Sequence, residues 1–342
     1  MTTQMQHESE IFRGTTTGRT SFKDARSVRG TPAARMPAFI LGEELAELAR
    51  KDPRIVVATA DLASANRTGD FRDEHPRRFF NFGIAEKNMI TAAAGMASCG
   101  LIPYVATFAS FCAILAAEQI RTDCAYTRMP VRIVGTHSGM SMGFYGTSHH
   151  ALEDLAMMRS MADLTVVCAT DANHLRAVLR KSLDHPGAMY IRLGRGRDPV
   201  VYEQVPELQF GKAIRLHEGS DLTIVATGSQ VRASLDAAIS MRGRGVSVRV
   251  LDMHTVSDVD RQEIASASRE TGAILTVEEH NLTGGLGSAV AEVLLELPRV
   301  PFKKHGVPDR YVEIGPPAAL YAKYQLDTAG IEQVAMALLK TA

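Results

Sequence analysis

The chain has 342 residues, 45% of them hydrophobic and 22% charged, with 38 Lys plus Arg set against 38 Asp plus Glu. That length suggests two globular domains with sizeable cores, and the balanced charge excludes a global field that would recruit nucleic acid or an anionic membrane. No run approaches the ~20 apolar residues of a membrane span, no hydrophobic signal region opens the chain, and Cys99, Cys112, Cys124 and Cys168 form no CxxC pair, so reduced thiols and a cytoplasmic setting are expected.

Residues 1–36 are rich in Thr, Ser, Gly and Arg and lack an apolar period, so they read as a flexible or partner-wrapping arm. ILGEELAELARK then sets Leu41, Leu45 and Leu48 on one face of a helix. RIVVATADL reads as a buried strand ending in an acidic loop. EKNMITAAAGMAS reads as a helix of small residues, IPYVATF as a strand and SFCAILAAEQIRTDCAY as a helix. VRIVGTH, LTVVCATD and AMYIRLG are further short apolar runs, separated by helical segments from Ala151 and Ala172. The pattern breaks at GRGRDPVVYEQVPELQF, a linker by its prolines and mixed charge. A second alternating unit follows: LTIVATG, a helix from Ser229, VSVRVLDM, a helix near Asp258, AILTVEE, a helix near Leu286 and a closing helix after Thr328. Continuous apolar strands alternating with helices mark parallel sheets covered on both faces. The expected fold is therefore α/β: a flexible arm over 1–36, then two doubly wound domains with mainly parallel sheets over 37–200 and 201–342.

Open parallel sheets bind ligands beyond the carboxyl ends of their strands. The residues that follow the predicted strands are Asp61, Phe108, Phe111, His137 and Arg192, together with a glycine-rich loop, SGMSMGFYGTSHH, that holds His149 and His150. An acid, two aromatics, three histidines and an arginine along one rim suit a polar metabolite. Glu86, in NFGIAEKNM, has two readings: a carboxylate favourable in a helix first turn, or a partly buried acid that holds a proton. Asp61 reads equally as a cofactor-side residue or as a loop acid capping the next segment.

NFGIAEKNMITAAAGMASCGLIPYVATFASF resembles the pyrimidine-binding domain of the transketolase family, where a Glu in a G-I-A-E motif precedes a T-F-x-x-F segment, here Thr107, Phe108 and Phe111. GTSHHALEDLAMMRSMADLTVVCATD and AMYIRLGR resemble matching stretches, particularly of two-subunit members, and VEEHNLTGGLGSAVAEVL resembles the family's C-terminal domain. The similarity runs from about residue 38 to the end. It implies a thiamine diphosphate enzyme that moves a two-carbon ketol unit from a ketose to an aldose. Glu86 matches the acid that faces N1′ of the aminopyrimidine and assists deprotonation of C2. Phe108 and Phe111 match aromatics that pack on the pyrimidine, and Asp61 matches a position near the cofactor. His137 and His149 match histidines on the substrate's oxygens, and Arg192 matches an arginine that grips the sugar phosphate. His150 is not expected to be catalytic.

Full-length members also carry a Gly-Asp-Gly motif and a later Asn that hold Mg²⁺ and the diphosphate. Gly-Asp-Gly is absent from this sequence. The resemblance therefore implies an α-type partner subunit supplying the metal and diphosphate ligands, in an α2β2 assembly acting on sugar phosphates. Tyr145 stands where one-chain transketolases often carry an Asp four residues before the histidine matched by His149, so hydroxyl recognition is expected to differ. Arg35 is one candidate for a missing phosphate-end arginine. The competing readings are a deoxyxylulose-phosphate synthase, a 2-oxo-acid dehydrogenase β subunit and a non-catalytic scaffold. GGLGSAV at Gly284 imitates a dinucleotide loop, but Val290 stands where the third small residue belongs. A zinc site is disfavoured because no cysteine neighbours His149.

Overall fold

The computed structural model describes residues 37–195 and 198–341. The arm expected over residues 1–36, with Arg35, lies outside the described residues. The first domain is built on six strands, all parallel, in the order β2-β1-β3-β4-β6-β5. They are β1 Ile55–Thr59, β2 Phe79–Asn81, β3 Ile102–Phe108, β4 Arg132–Thr136, β5 Leu164–Cys168 and β6 Ala188–Arg192. Every residue of β1, β3, β4 and β6 is buried, which is why their sequences run apolar without alternation. The helices Pro37–Lys51 and Ala172–Ser182 pack together on one face, and Glu86–Ser98 lies along β3.

The stretch expected as one helix after β3 is instead wound in pieces: π-helical Phe111–Leu115, α-helical Ala117–Gln119 and π-helical Ile120–Ala125. Cys112, Ala116, Ile120 and Cys124 are all buried. Their four-residue spacing would drift around an ordinary 3.6-residue helix, and wider π turns hold the row against the core.

The second domain has strand order β11-β10-β8-β9-β7. Its strands are β7 Ile214–His217, β8 Leu222–Ala226, β9 Val248–Asp252, β10 Ile274–Asn281 and β11 Phe302–Val307. All pairs are parallel except β7, an antiparallel edge strand on β9. The helix after β10, Leu286–Leu294, follows the GGLG turn. There Glu278 accepts hydrogen bonds from Leu286 N–H at 2.6 Å and Gly287 N–H at 2.8 Å. A helix start capped by the chain's own carboxylate has no place for a pyrophosphate.

The two sheets meet along a hydrogen-bonded seam. Val167 and Thr255 form an antiparallel bridge, Cys168 N–H donates to His254 O, and Val256 N–H donates to Val166 O. One buried apolar cluster runs through both domains, from Leu155, Met158 and Val166 to Met253, Val256 and Leu286. Cys112, Cys124 and Cys168 are buried free thiols and Cys99 is exposed; burial pushes the Cys124 thiol up to about 12. Among the described residues no helix is long and apolar enough to cross a membrane.

Candidate functional site

The carboxyl edge of the first sheet gathers most of the residues singled out above. Phe82 N–H donates to Thr59 O, so the turn leading into helix Glu86–Ser98 crosses the end of β1. Glu86 opens that helix, is 7% exposed, and its carboxylate makes no hydrogen bond or ion pair with another of the described residues. Asp61, just past β1, adopts φ 59° and is tied to Asn81: its N–H donates to Asn81 Oδ1 at 2.9 Å, and Asn81 Nδ2 returns a bond at 3.2 Å.

At the ends of β3 and β4 the aromatic rings form one cluster. Phe108 and Phe111 lie 5.5 Å apart, His137 sits 4.4 Å from Phe108, and His149 sits 5.2 Å from Phe111 and 6.0 Å from Phe108. Tyr145 flanks the outer side of His149 at 4.9 Å and is exposed. His137 holds φ 58°, a left-handed conformation that costs a non-glycine residue about 1–3 kcal/mol. Strain of this kind persists where the surroundings fix the side chain, and they do here. The Thr136 hydroxyl bonds to Asn66 Oδ1 at 2.7 Å and to His137 Nδ1 at 2.9 Å. With the hydroxyl proton given to Asn66, His137 Nδ1–H is the donor to Thr136, which leaves Nε2 as the acceptor nitrogen.

Burial, then the charges of Arg195, Arg67 and His149, push the His137 imidazole down to about 3, so it is neutral at physiological pH. His149 is lowered too, by burial. Arg67 and Arg195 are thus two cations near the ring cluster that the sequence reading did not single out. Arg195 Nη1 contacts Ser141 O at 3.5 Å. His150, next to His149 in the same loop, is buried, 3% exposed.

Arg192 is placed differently from the expectation. It is 3% exposed; its Nε and Nη2 donate to Asp154 at 2.7 and 3.1 Å, and Nη2 also reaches Ala151 O and Glu279 O. Its side chain is committed to the seam between the domains. Strand parity explains this, because Arg192 projects with Tyr190, whose hydroxyl donates to the same Asp154 at 2.8 Å.

Thr107 Oγ1, Ser110 Oγ and Asn66 Nδ2 are buried without a hydrogen-bond partner. Buried polar groups without a partner and a cluster of four rings, at the sheet edge after which Glu86 opens its helix, fit a flat, polar heteroaromatic ligand. No group of three or more His, Cys, Asp or Glu that could hold a metal ion occurs among the described residues.

Residues 38–199 match the family model described as transketolase, pyrimidine binding domain, and residues 211–331 match transketolase, C-terminal domain. The chain is 39% identical over 299 residues to an apulose-4-phosphate transketolase subunit of Phocaeicola vulgatus, covering 87% of this chain and 96% of that protein. It is 35% identical to 1-deoxy-D-xylulose-5-phosphate synthase 1 of Geobacter sulfurreducens, covering 90% of this chain but 49% of that one. A solved structure described as a split gene transketolase, inactive beta4 tetramer, superposes with a TM-score of 0.79 at 40% identity, covering 87% of this chain and 96% of its own.

Proposed function

The chain belongs to the transketolase family, and from that premise we propose that it is the pyrimidine-binding subunit of a two-chain, thiamine diphosphate-dependent transketolase. The observation that carries this reading is the cluster of Phe108, Phe111, His137 and His149 at the sheet edge that Glu86 also borders. Similarity to relatives of comparable length that are themselves named as parts of split transketolases supports a partner. That partner is an α-type chain bringing Mg²⁺ and the diphosphate ligands, in an α2β2 enzyme. Three buried free thiols support a cytoplasmic location.

Bound thiamine diphosphate supplies the nucleophilic carbon and electron sink for moving a two-carbon ketol unit. Glu86 holds a proton at the pyrimidine N1′, and Phe108 and Phe111 pack against the pyrimidine ring. Asp61, pinned by Asn81, closes the cofactor side of the rim. Neutral His137 accepts a proton from a substrate hydroxyl at Nε2, and His149, at the mouth, hydrogen-bonds the sugar's oxygens. The anionic end of the sugar is held by Arg195 and Arg67, whose charges already act on His137, rather than by Arg192, which Asp154 engages.

The test is to co-express the chain with an α-type subunit and supply a panel of ketose phosphates with aldose acceptors. Ketol transfer supports the reading. Carbon dioxide release from pyruvate with glyceraldehyde phosphate, without ketol transfer, would move the chain to the deoxyxylulose-phosphate synthase reaction that the second similarity raises. Silence toward every donor from an intact complex would sink both.

A further inference from the structure

The loop that carries both histidines is anchored from the other domain. Gly139 and Ala151 pair as a two-residue antiparallel bridge, with N–H to O distances of 3.0 Å in both directions. That bridge closes the segment between them, so His137 lies two residues outside one end and His149 two residues inside the other. Glu279, on β10 of the C-terminal domain, accepts Met140 N–H at 2.6 Å, one residue past this closure. The same carboxylate accepts from Ser229 Oγ at 2.7 Å and Tyr321 OH at 2.7 Å. Its backbone carbonyl accepts from Arg192 Nη2, which also bonds Ala151 O. Gly139 has φ 62°, and a Cβ there would overlap the Glu279 side chain, so the approach is as close as the backbone permits. Further along the loop Gly315 N–H donates to Gly143 O, and a Cβ on Gly146 would press on Ile314.

We propose that Glu279 is a positioning residue for the reaction, a clamp by which the C-terminal domain fixes the closure that sets where His137 and His149 stand. This rests on the assignment of those histidines to the substrate. A carboxylate with two hydroxyl donors of its own is oriented before it meets the loop, and at 1% exposure no water competes for Met140 N–H. Burial raises the Glu279 carboxyl above its ordinary range, and the charge of Arg192 is the largest influence opposing that.

The experiment uses the two-chain enzyme with wild type, E279A, E279Q, the S229A/Y321F pair, H137A and H149A. Amide hydrogen exchange of residues 138–151 is followed alongside kcat, donor KM and Tm. Misplacing reacting groups by ~1 Å costs on the order of 10²-fold, so E279A should lose about tenfold or more in kcat with little change in donor KM. Its loop amides should exchange faster, and E279Q, which keeps an acceptor for Met140 N–H, should recover most of the turnover. Wild-type kcat in E279A, or a loss that Gln does not restore, overturns the proposal. If E279A fails to fold, the S229A/Y321F pair decides: reduced kcat at unchanged Tm supports the clamp, and unchanged kcat overturns it. Full activity in both H137A and H149A would instead remove the reading on which the clamp rests.

Discussion

Asp154 receives Arg192 Nε at 2.7 Å and Nη2 at 3.1 Å, with both side chains almost wholly removed from water, 1% and 3% exposed. Tyr190 OH completes the carboxylate's set at 2.8 Å. Removing one member of such a pair leaves the other charge buried and uncompensated, at a cost of about 3–5 kcal/mol.

Arg192→Ala should therefore lower stability by about that amount, read as the shift of the urea midpoint at constant slope. A loss below about 1 kcal/mol would mean that water reaches the pair and that Arg192 is available for other work.

Arg195→Gln should weaken recognition of the anionic end of the substrate. The expected result is a donor KM raised about tenfold for a phosphorylated ketose and nearly unchanged for its unphosphorylated counterpart. Removing this positive charge should also raise the His137 imidazole, since Arg195 is the largest charge acting on it after burial. Equal effects on both ketoses would show that Arg195 does not face the anion.

His137, held at about 3 against 6.5 for a free imidazole, should remain neutral from about pH 8 to about pH 5. The folded value lies below the unfolded one. Its contribution to stability is therefore complete above about 6.5 and is lost as the pH falls toward 3. Histidine ring signals, assigned by comparison with H137Q, should show no titration of His137 in that window. A midpoint near 6.5 would show the ring to be solvated.

Glu86→Gln should retain cofactor affinity in the assembled enzyme while turnover falls by about 10²–10⁴, the range for a lost acid–base group. Turnover near wild type would remove Glu86 from the mechanism.

Much of the fold was legible because its elements are continuous in sequence. The helix read from EKNMITAAAGMAS spans Glu86–Ser98, and the strand read from IPYVATF spans Ile102–Phe108. Strand β2, Phe79–Asn81, escaped because it is a three-residue edge strand, part-buried or exposed, without apolar periodicity. Edge strand β7 runs Ile-Arg-Leu-His, with none of its four residues fully buried. The ring cluster at Phe108, Phe111, His137 and His149 could be anticipated because Phe108 ends a recognisable strand and the other three stand in the segments that leave β3 and β4. The direction of Arg192 could not, because its partner Asp154 lies 38 residues away, although the parity with Tyr190 was a usable hint. Arg67 and Arg195 stand in loops whose course depends on tertiary contacts, and Arg67 itself takes φ 57°. Glu279 was hidden for the same reason: the sequence showed a strand ending in two acids, and only the packing reveals that one caps a helix while its neighbour holds the loop of the other domain.

The most direct test of the central claim, that this chain holds the pyrimidine half of a site completed by another subunit, is calorimetric titration of thiamine diphosphate with Mg²⁺. It is run on the chain alone and on its complex with an α-type subunit. Saturable binding to the complex and none to the isolated chain at the same concentrations is the expected result. Tight, Mg²⁺-dependent binding by the chain alone would contradict it, because the diphosphate would then be held by residues of this chain.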